Sequence, residues 1–214
     1  MGQATRNIAN SFTTSGVITS SAVNNTTISG ITDLSLGGSL ILISESTASA
    51  SSSISFTSGI DSTYDEYWFV FNSIHPQTDQ KDLQVGFRDG ESDYDAVKTT
   101  SYFETIHDEA DTSTSLAYQT GLDTAQGTGF QTILRFIGND NDHSASGIMK
   151  LYNPSSTTFV KHFVAVGSSV TGGDYANNHF IGGYVNTTTA IDGVQFKFNS
   201  GNIDAGTIQM FGVK

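Results

Sequence analysis

The chain has 214 residues, of which 36% are hydrophobic and 14% charged, and a formal net charge of -12 from 9 basic and 21 acidic side chains. This balance, with no run of even three basic residues, excludes a nucleic-acid binder that works by neutralising the backbone, because such binding needs clustered Lys and Arg. The absence of cysteine excludes disulfides, thiolate metal sites and a cysteine nucleophile, so stability must come from packing or assembly.

The amino terminus, Met1 to Asn7, lacks the basic-then-apolar pattern of a secretory signal, and no stretch of about 18 apolar residues is present to span a bilayer. Folding in the cytosol of the producing cell and no membrane insertion are therefore expected. From Gly2 to Gly38 the residues are small and polar, with isolated apolar positions such as Ile8, Phe12, Val17, Ile28 and Leu34. Ordering the backbone costs about 1 to 2 kcal/mol per residue, so a segment with so little to bury predicts an extended arm ordered only against a partner. Leu40 to Ile43 make the first continuous apolar run, and Glu45 to Ser53 read as a linker or an exposed edge strand. The expected division is an arm and linker over residues 1–50, for attachment or assembly, and a β domain over residues 51–214.

The β body begins near Ile54. Tyr67 to Phe71 is apolar at every position, as in a central strand covered on both faces. Leu83, Val85 and Phe87 alternate with Gln84, Gly86 and Arg88, the pattern of a strand with one wet face, and Asp89-Gly90 then predicts a tight hairpin turn. Further strands are predicted at Thr100 to Ile106, Gln131 to Ile137, Gly147 to Tyr152, Phe159 to Val166, Phe180 to Val185, Val194 to Phe198 and Thr207 to Val213. Asn153-Pro154-Ser155-Ser156 and Asn199-Ser200-Gly201-Asn202 are turns, since Pro fixes φ while Asn and Ser bond to the local backbone. The segment from His107 to Gly129 reads as a long surface loop with room for a short helix at Thr112 to Tyr118. Recurrent short strands without helical periods predict an all-β, antiparallel, jelly-roll-like sandwich preceded by the extended arm.

Candidate chemistry is sparse. His75, His107, His143, His162 and His179 show no short-range ligand spacing, and His162 falls mid-strand. Asn139-Asp140-Asn141-Asp142 is the densest set of oxygen ligands, but the position where a calcium loop places its bidentate Glu is Leu151, so a turn is the simpler reading. Whether Asp140 and Asp142 bind a cation is left open. Asp65/Glu66 and Asp108/Glu109 are adjacent pairs, and neighbours on a strand point to opposite faces, so neither pair forms a glycosidase site by itself. There is no nucleophile elbow, and Gly172-Gly173 and Gly182-Gly183 read as turns and bulges rather than phosphate loops. Tyr64, Tyr94, Tyr102, Tyr118, Tyr175 and Tyr184 could stack on sugars, although strand aromatics mostly pack. No catalytic, cofactor-binding or metal residue is assigned, and a non-enzymatic protein without cofactor is expected.

Three segments, Phe56 to Tyr67, Leu151 to His162 and Ser200 to Ile208, resemble the β-rich virion structural proteins of marine tailed bacteriophages, and the likeness spans Ile54 to the carboxyl terminus. The resemblance implies a virion component, assembled in the host cytoplasm, that acts without a cofactor as a homotrimer or other homo-oligomer. Capsid decoration, as a cement or head-fibre protein held to the major capsid protein by its arm, is the leading expectation. A tail-fibre or knob module that recognises a host surface glycan or protein is the alternative.

Overall fold

A computed structural model describes residues 40–214. The arm expected at the amino terminus lies, up to residue 39, outside the described residues. Thirteen strands follow in chain order: β1 (Leu40–Thr47), β2 (Ile54–Phe56), β3 (Glu66–Pro76), β4 (Lys81–Arg88), β5 (Lys98–Asp108), β6 (Thr114–Tyr118), β7 (Thr124–Gly127), β8 (Gln131–Ile137), β9 (Ala145–Tyr152), β10 (Lys161–Val170), β11 (Tyr175–Val185), β12 (Gly193–Phe198) and β13 (Ile203–Val213). No helix occurs among the described residues.

The strands form a nine-stranded sheet, ordered β1-β13-β3-β9-β10-β11-β5-β6 with β7 also on β5, and a four-stranded sheet ordered β2-β12-β4-β8. Every ladder is antiparallel. Set aside β5 to β7, which follow β4, and β10 and β11, which follow β9. The eight remaining strands pair as β1-β13-β3-β9 against β2-β12-β4-β8, with the chain crossing between sheets in the interleaved order of a jelly roll. The two insertions add themselves to the free edge of β9 and so double the width of one sheet. The expected all-β, antiparallel jelly-roll sandwich is therefore observed.

Inward alternation builds the core. From the large sheet come Tyr67, Phe69 and Phe71 of β3, Met149 and Leu151 of β9, and Phe163 of β10; opposite them lie Leu83, Val85 and Phe87 of β4 and Val194, Phe196 and Phe198 of β12. Phe196 sits at the centre, with ring centroids 5.1 Å from Phe71, 5.4 Å from Phe69 and 6.3 Å from Phe56. Such tilted and edge-on aromatic pairs each add about 0.5–1.5 kcal/mol beyond the area they bury. Where β3 and β13 bulge together, Gly206 has φ +109°, and a Cβ there would lie 2.5 Å from the Ser73 carbonyl oxygen, so only glycine fits without displacing the backbone.

Four local expectations change. Leu40 to Thr47 is the edge strand of the large sheet, paired with Thr207 to Val213, so the described body starts at Leu40 rather than at residue 51. Asp89-Gly90 is a turn, Gly90 having φ +96°, but it is not a hairpin between sheet neighbours. Both edges of β4 are already taken by β12 and β8, so the chain can only leave for the other sheet. The stretch from His107 to Gly129 holds β6 and β7, with no helix at Thr112 to Tyr118. Finally, Tyr67 to Phe71 is covered on one face only: Tyr67, Phe69 and Phe71 are buried, while Trp68 and Val70 point to the outside of the sandwich and remain partly exposed.

Candidate functional site

The open face of the nine-stranded sheet is the most extensive feature that the sandwich itself does not use. Register places Val70, Ile148, Val166, Phe180, Phe103 and Tyr118 side by side across six strands, one from each. At about 4.8 Å per strand this apolar row is about 24 Å wide. One row over, Trp68, Lys150 and Val164 are neighbours, and on the other side Asn178, Thr105 and Leu116 follow one another. Val164 is 38%, Phe103 42%, Val166 44%, Tyr118 53% and Leu116 71% exposed.

The polar groups on this face are held in place. The Trp68 indole N–H donates to Glu66 Oε2 at 2.9 Å, and the Lys150 ammonium lies 3.9 Å from the centroid of the Trp68 ring. β9, β10 and β11, the three strands at the middle of the sheet, contain no Asp or Glu, although the chain carries 21 acidic residues. The acidic side chains of this face lie toward its β1–β13–β3 side, at Glu66 and Glu45.

Behind the same strands the interior is polar. His179, fully buried, meets the Tyr102 hydroxyl at 2.6 Å through Nδ1 and Ser169 Oγ at 3.0 Å through Nε2, and Ser169 Oγ donates to the Arg135 carbonyl at 3.1 Å. The Arg135 backbone N–H also donates to Nε2, at 3.4 Å. Burial, reinforced by the Arg135 charge, pushes the His179 pKa down to about 3, so the ring is neutral near pH 7. Arg135 Nη1 donates to Glu104 Oε1 at 2.8 Å, as does Gln119 Nε2 at 2.8 Å. Two buried lysines flank Val185 in the next part of the sheet: Lys161 Nζ donates to the Thr187 and Thr189 carbonyls at 3.0 and 2.6 Å, and Lys98 Nζ to those of Ala96 and Thr128 at 3.0 and 3.4 Å. Each ammonium fastens a loop to the sheet. Desolvation pulls Lys98 down to about 8.

The residues singled out in the sequence do not converge. Among the described residues no three His, Asp or Glu side chains form a group able to hold a metal. Asn139 to Asp142 make the turn before β9, where the His143 amide donates to the Asp140 carbonyl at 2.8 Å and the Asp142 side chain is 92% exposed. Asp108 caps its own turn, accepting from the Thr112 and Ser113 amides at 2.8 and 2.7 Å, and these hydrogen bonds, led by the Thr112 hydroxyl, hold its pKa below the usual carboxylate range. Glu109 and Asp65 are exposed, far apart in the sheet, and Glu66 is engaged by Trp68. Of the histidines, His179 and His143 are buried; His162 points outward beside Tyr184, with ring centroids 6.2 Å apart. Of the tyrosines, Tyr102 is buried, Tyr64 packs on Tyr67, and Tyr118 and Tyr184 belong to the open face.

The outer face, Lys98, Lys161 and the His179 cluster were not singled out by reading the sequence for chemistry. The alternation did hold a signal: Lys161 is in phase with inward Phe163 and Ala165, and β10 is apolar in both phases from Phe163 to Val166. Comparison of the chain with known protein families, curated proteins and solved structures finds no match. What fold and face define is a jelly-roll sandwich with a wide, solvent-open sheet face whose three middle strands carry no acidic residue.

Proposed function

We propose that this chain is a non-enzymatic structural protein of a bacteriophage virion, a capsid decoration that self-associates through the outer face of its nine-stranded sheet. The observation that carries the reading is the apolar row from Val70 to Tyr118, which a sandwich acting alone has no reason to keep. The occupant is a second copy of this chain. The face measures about 24 Å across the strands and about 20 Å along them, so two copies would remove about 1,000 Å² from water, the lower bound for a specific interface. Its freedom from Asp and Glu at the centre lets copies of a chain of charge -12 meet without opposing acids.

The jelly-roll strand order, which recurs in capsid and lectin domains, and the three segments similar to phage structural proteins support placement in a virion. Gly2 to Leu36, poor in groups to bury, is the segment assigned to docking on the major capsid protein. Quantitative mass spectrometry of purified particles tests this: hundreds of copies per particle agree with decoration of the head, and absence from the particle overturns it. A count of a few tens or fewer would move the protein to the tail. A tail-tip role for host recognition is favoured by one separate observation, a small pocket at one end of the sandwich.

A further inference from the structure

The pocket, about 340 Å³ in volume, lies where the turns after β5 and β10 approach the end of β8, and Glu104, Asn177, Ile106, Tyr175, Phe136 and Ser113 line it. That size is in the range of small-ligand sites. Asn177 is 1% exposed, and its side-chain oxygen Oδ1 has no hydrogen-bond partner. A buried amide oxygen left in this state is costly, so the site favours whatever donates to it. The amide cannot gain by turning over, because its Nδ2 donates to Glu104 Oε2 at 3.4 Å and the reversed amide would set oxygen against carboxylate. Glu104 Oε1 is taken twice, by Arg135 and Gln119, whereas Oε2 has only that one long hydrogen bond.

The lining therefore offers two acceptor oxygens, and the carboxylate charge is already met by the Arg135 guanidinium 2.8 Å away. Ser113, Thr171, Tyr175 and Gln80 add neutral donors to the lining, but no cationic side chain lines it to attract an anion. A metal ion finds no set of three ligands, and an organic cation gains little where the one carboxylate is already neutralised. The complement is a neutral molecule with several hydroxyl donors and an apolar flank to lie against Tyr175, Phe136 and Ile106. We propose that this pocket binds a single neutral sugar residue of a surface glycan, with sugar hydroxyls donating to Asn177 Oδ1 and Glu104 Oε2. The site rests on its own geometry and does not require the assembly face.

Titration of the full chain with methyl glycosides of glucose, galactose, mannose, fucose, N-acetylglucosamine and N-acetylgalactosamine, followed by saturation-transfer NMR, tests it. At least one is expected to bind saturably, with a dissociation constant of about 1 mM, the usual scale for about 4 kcal/mol. Tyr175→Ala should weaken it tenfold or more, and Ser113→Trp, which fills the mouth from a partly exposed turn, should abolish it. Neither change should alter the mass of the assembly, and Val166→Glu on the open face should leave sugar binding intact. The proposal is overturned if none of the glycosides saturates, if binding survives Ser113→Trp, or if guanidinium competes as well as the best sugar.

Discussion

Phe103 and Phe180 lie face to face on the open side of the large sheet, their ring centroids 4.9 Å apart and their planes 8° from parallel. They are directly opposite in the β5–β11 ladder, so each ring supports the other where neither is covered by the sandwich. Cross-strand aromatic pairs couple by about 0.5–1.5 kcal/mol. A double-mutant cycle of Phe103→Ala and Phe180→Ala, read by urea unfolding, should return that coupling. A coupling of zero would mean that the pair does not stack in solution.

His179 makes stability sensitive to acid. Its folded pKa is pushed down to about 3, while an unfolded histidine titrates near 6.5. Between these values the unfolded chain binds the extra proton, so stability is complete above about pH 6.5 and falls as pH drops toward 3, by up to about 1.4 kcal/mol per pH unit. Thermal melts of wild type and His179→Gln over this range should show the steeper acid loss in wild type. Parallel profiles would refute the assignment.

Lys98 acts at the other end of the scale. Burial lowers its pKa from 10.5 to about 8. From pH 8 to 10.5 the unfolded lysine holds a proton that the folded one has lost, so this group adds stability as pH rises through that window. Lys98→Met removes that rise, and it also leaves the Ala96 and Thr128 carbonyls without their donor. The difference in melting temperature between wild type and variant should therefore grow with pH across the window; a constant difference would contradict the buried ammonium.

Phe196 joins the two sheets. Phe196→Ala should cost about 3–5 kcal/mol, through lost transfer energy and the cavity left among Phe56, Phe69 and Phe71. Phe196→Leu, which keeps more of the volume, should cost less. Chemical unfolding measures both, and equal losses would show that the aromatic cluster does not set the core.

Strands that feed the core were legible in the sequence because burial imprints alternation on them. Gln131 to Ile137 is read at its observed bounds, and Val194 to Phe198 falls one residue short at its start. β6 and β7 escaped because they sit at the outer edge of the widened sheet, where no side chain is fully buried to enforce the pattern. Asp89-Gly90 misled because a turn dipeptide reports local φ preference and not whether the preceding strand has an edge free. Phe159 looked like the start of a strand but is 70% exposed, and β10 begins instead at buried Lys161. The pocket left no motif, since its lining is drawn from turns and strands as distant as Gln80 and Asn177. The open face was half legible: apolar residues in both phases of Tyr67 to Phe71 called for cover on two sides, and the sandwich supplies one.

The mass of the chain in solution is the most direct test of the proposed self-association through this face. Sedimentation equilibrium of the intact protein should give a whole multiple of 22.8 kDa, and Val166→Glu, a change at a 44% exposed position, should return it to 22.8 kDa with an unchanged circular-dichroism spectrum. A wild-type protein that remains at 22.8 kDa at high concentration, or an assembly indifferent to Val166→Glu, would contradict the account.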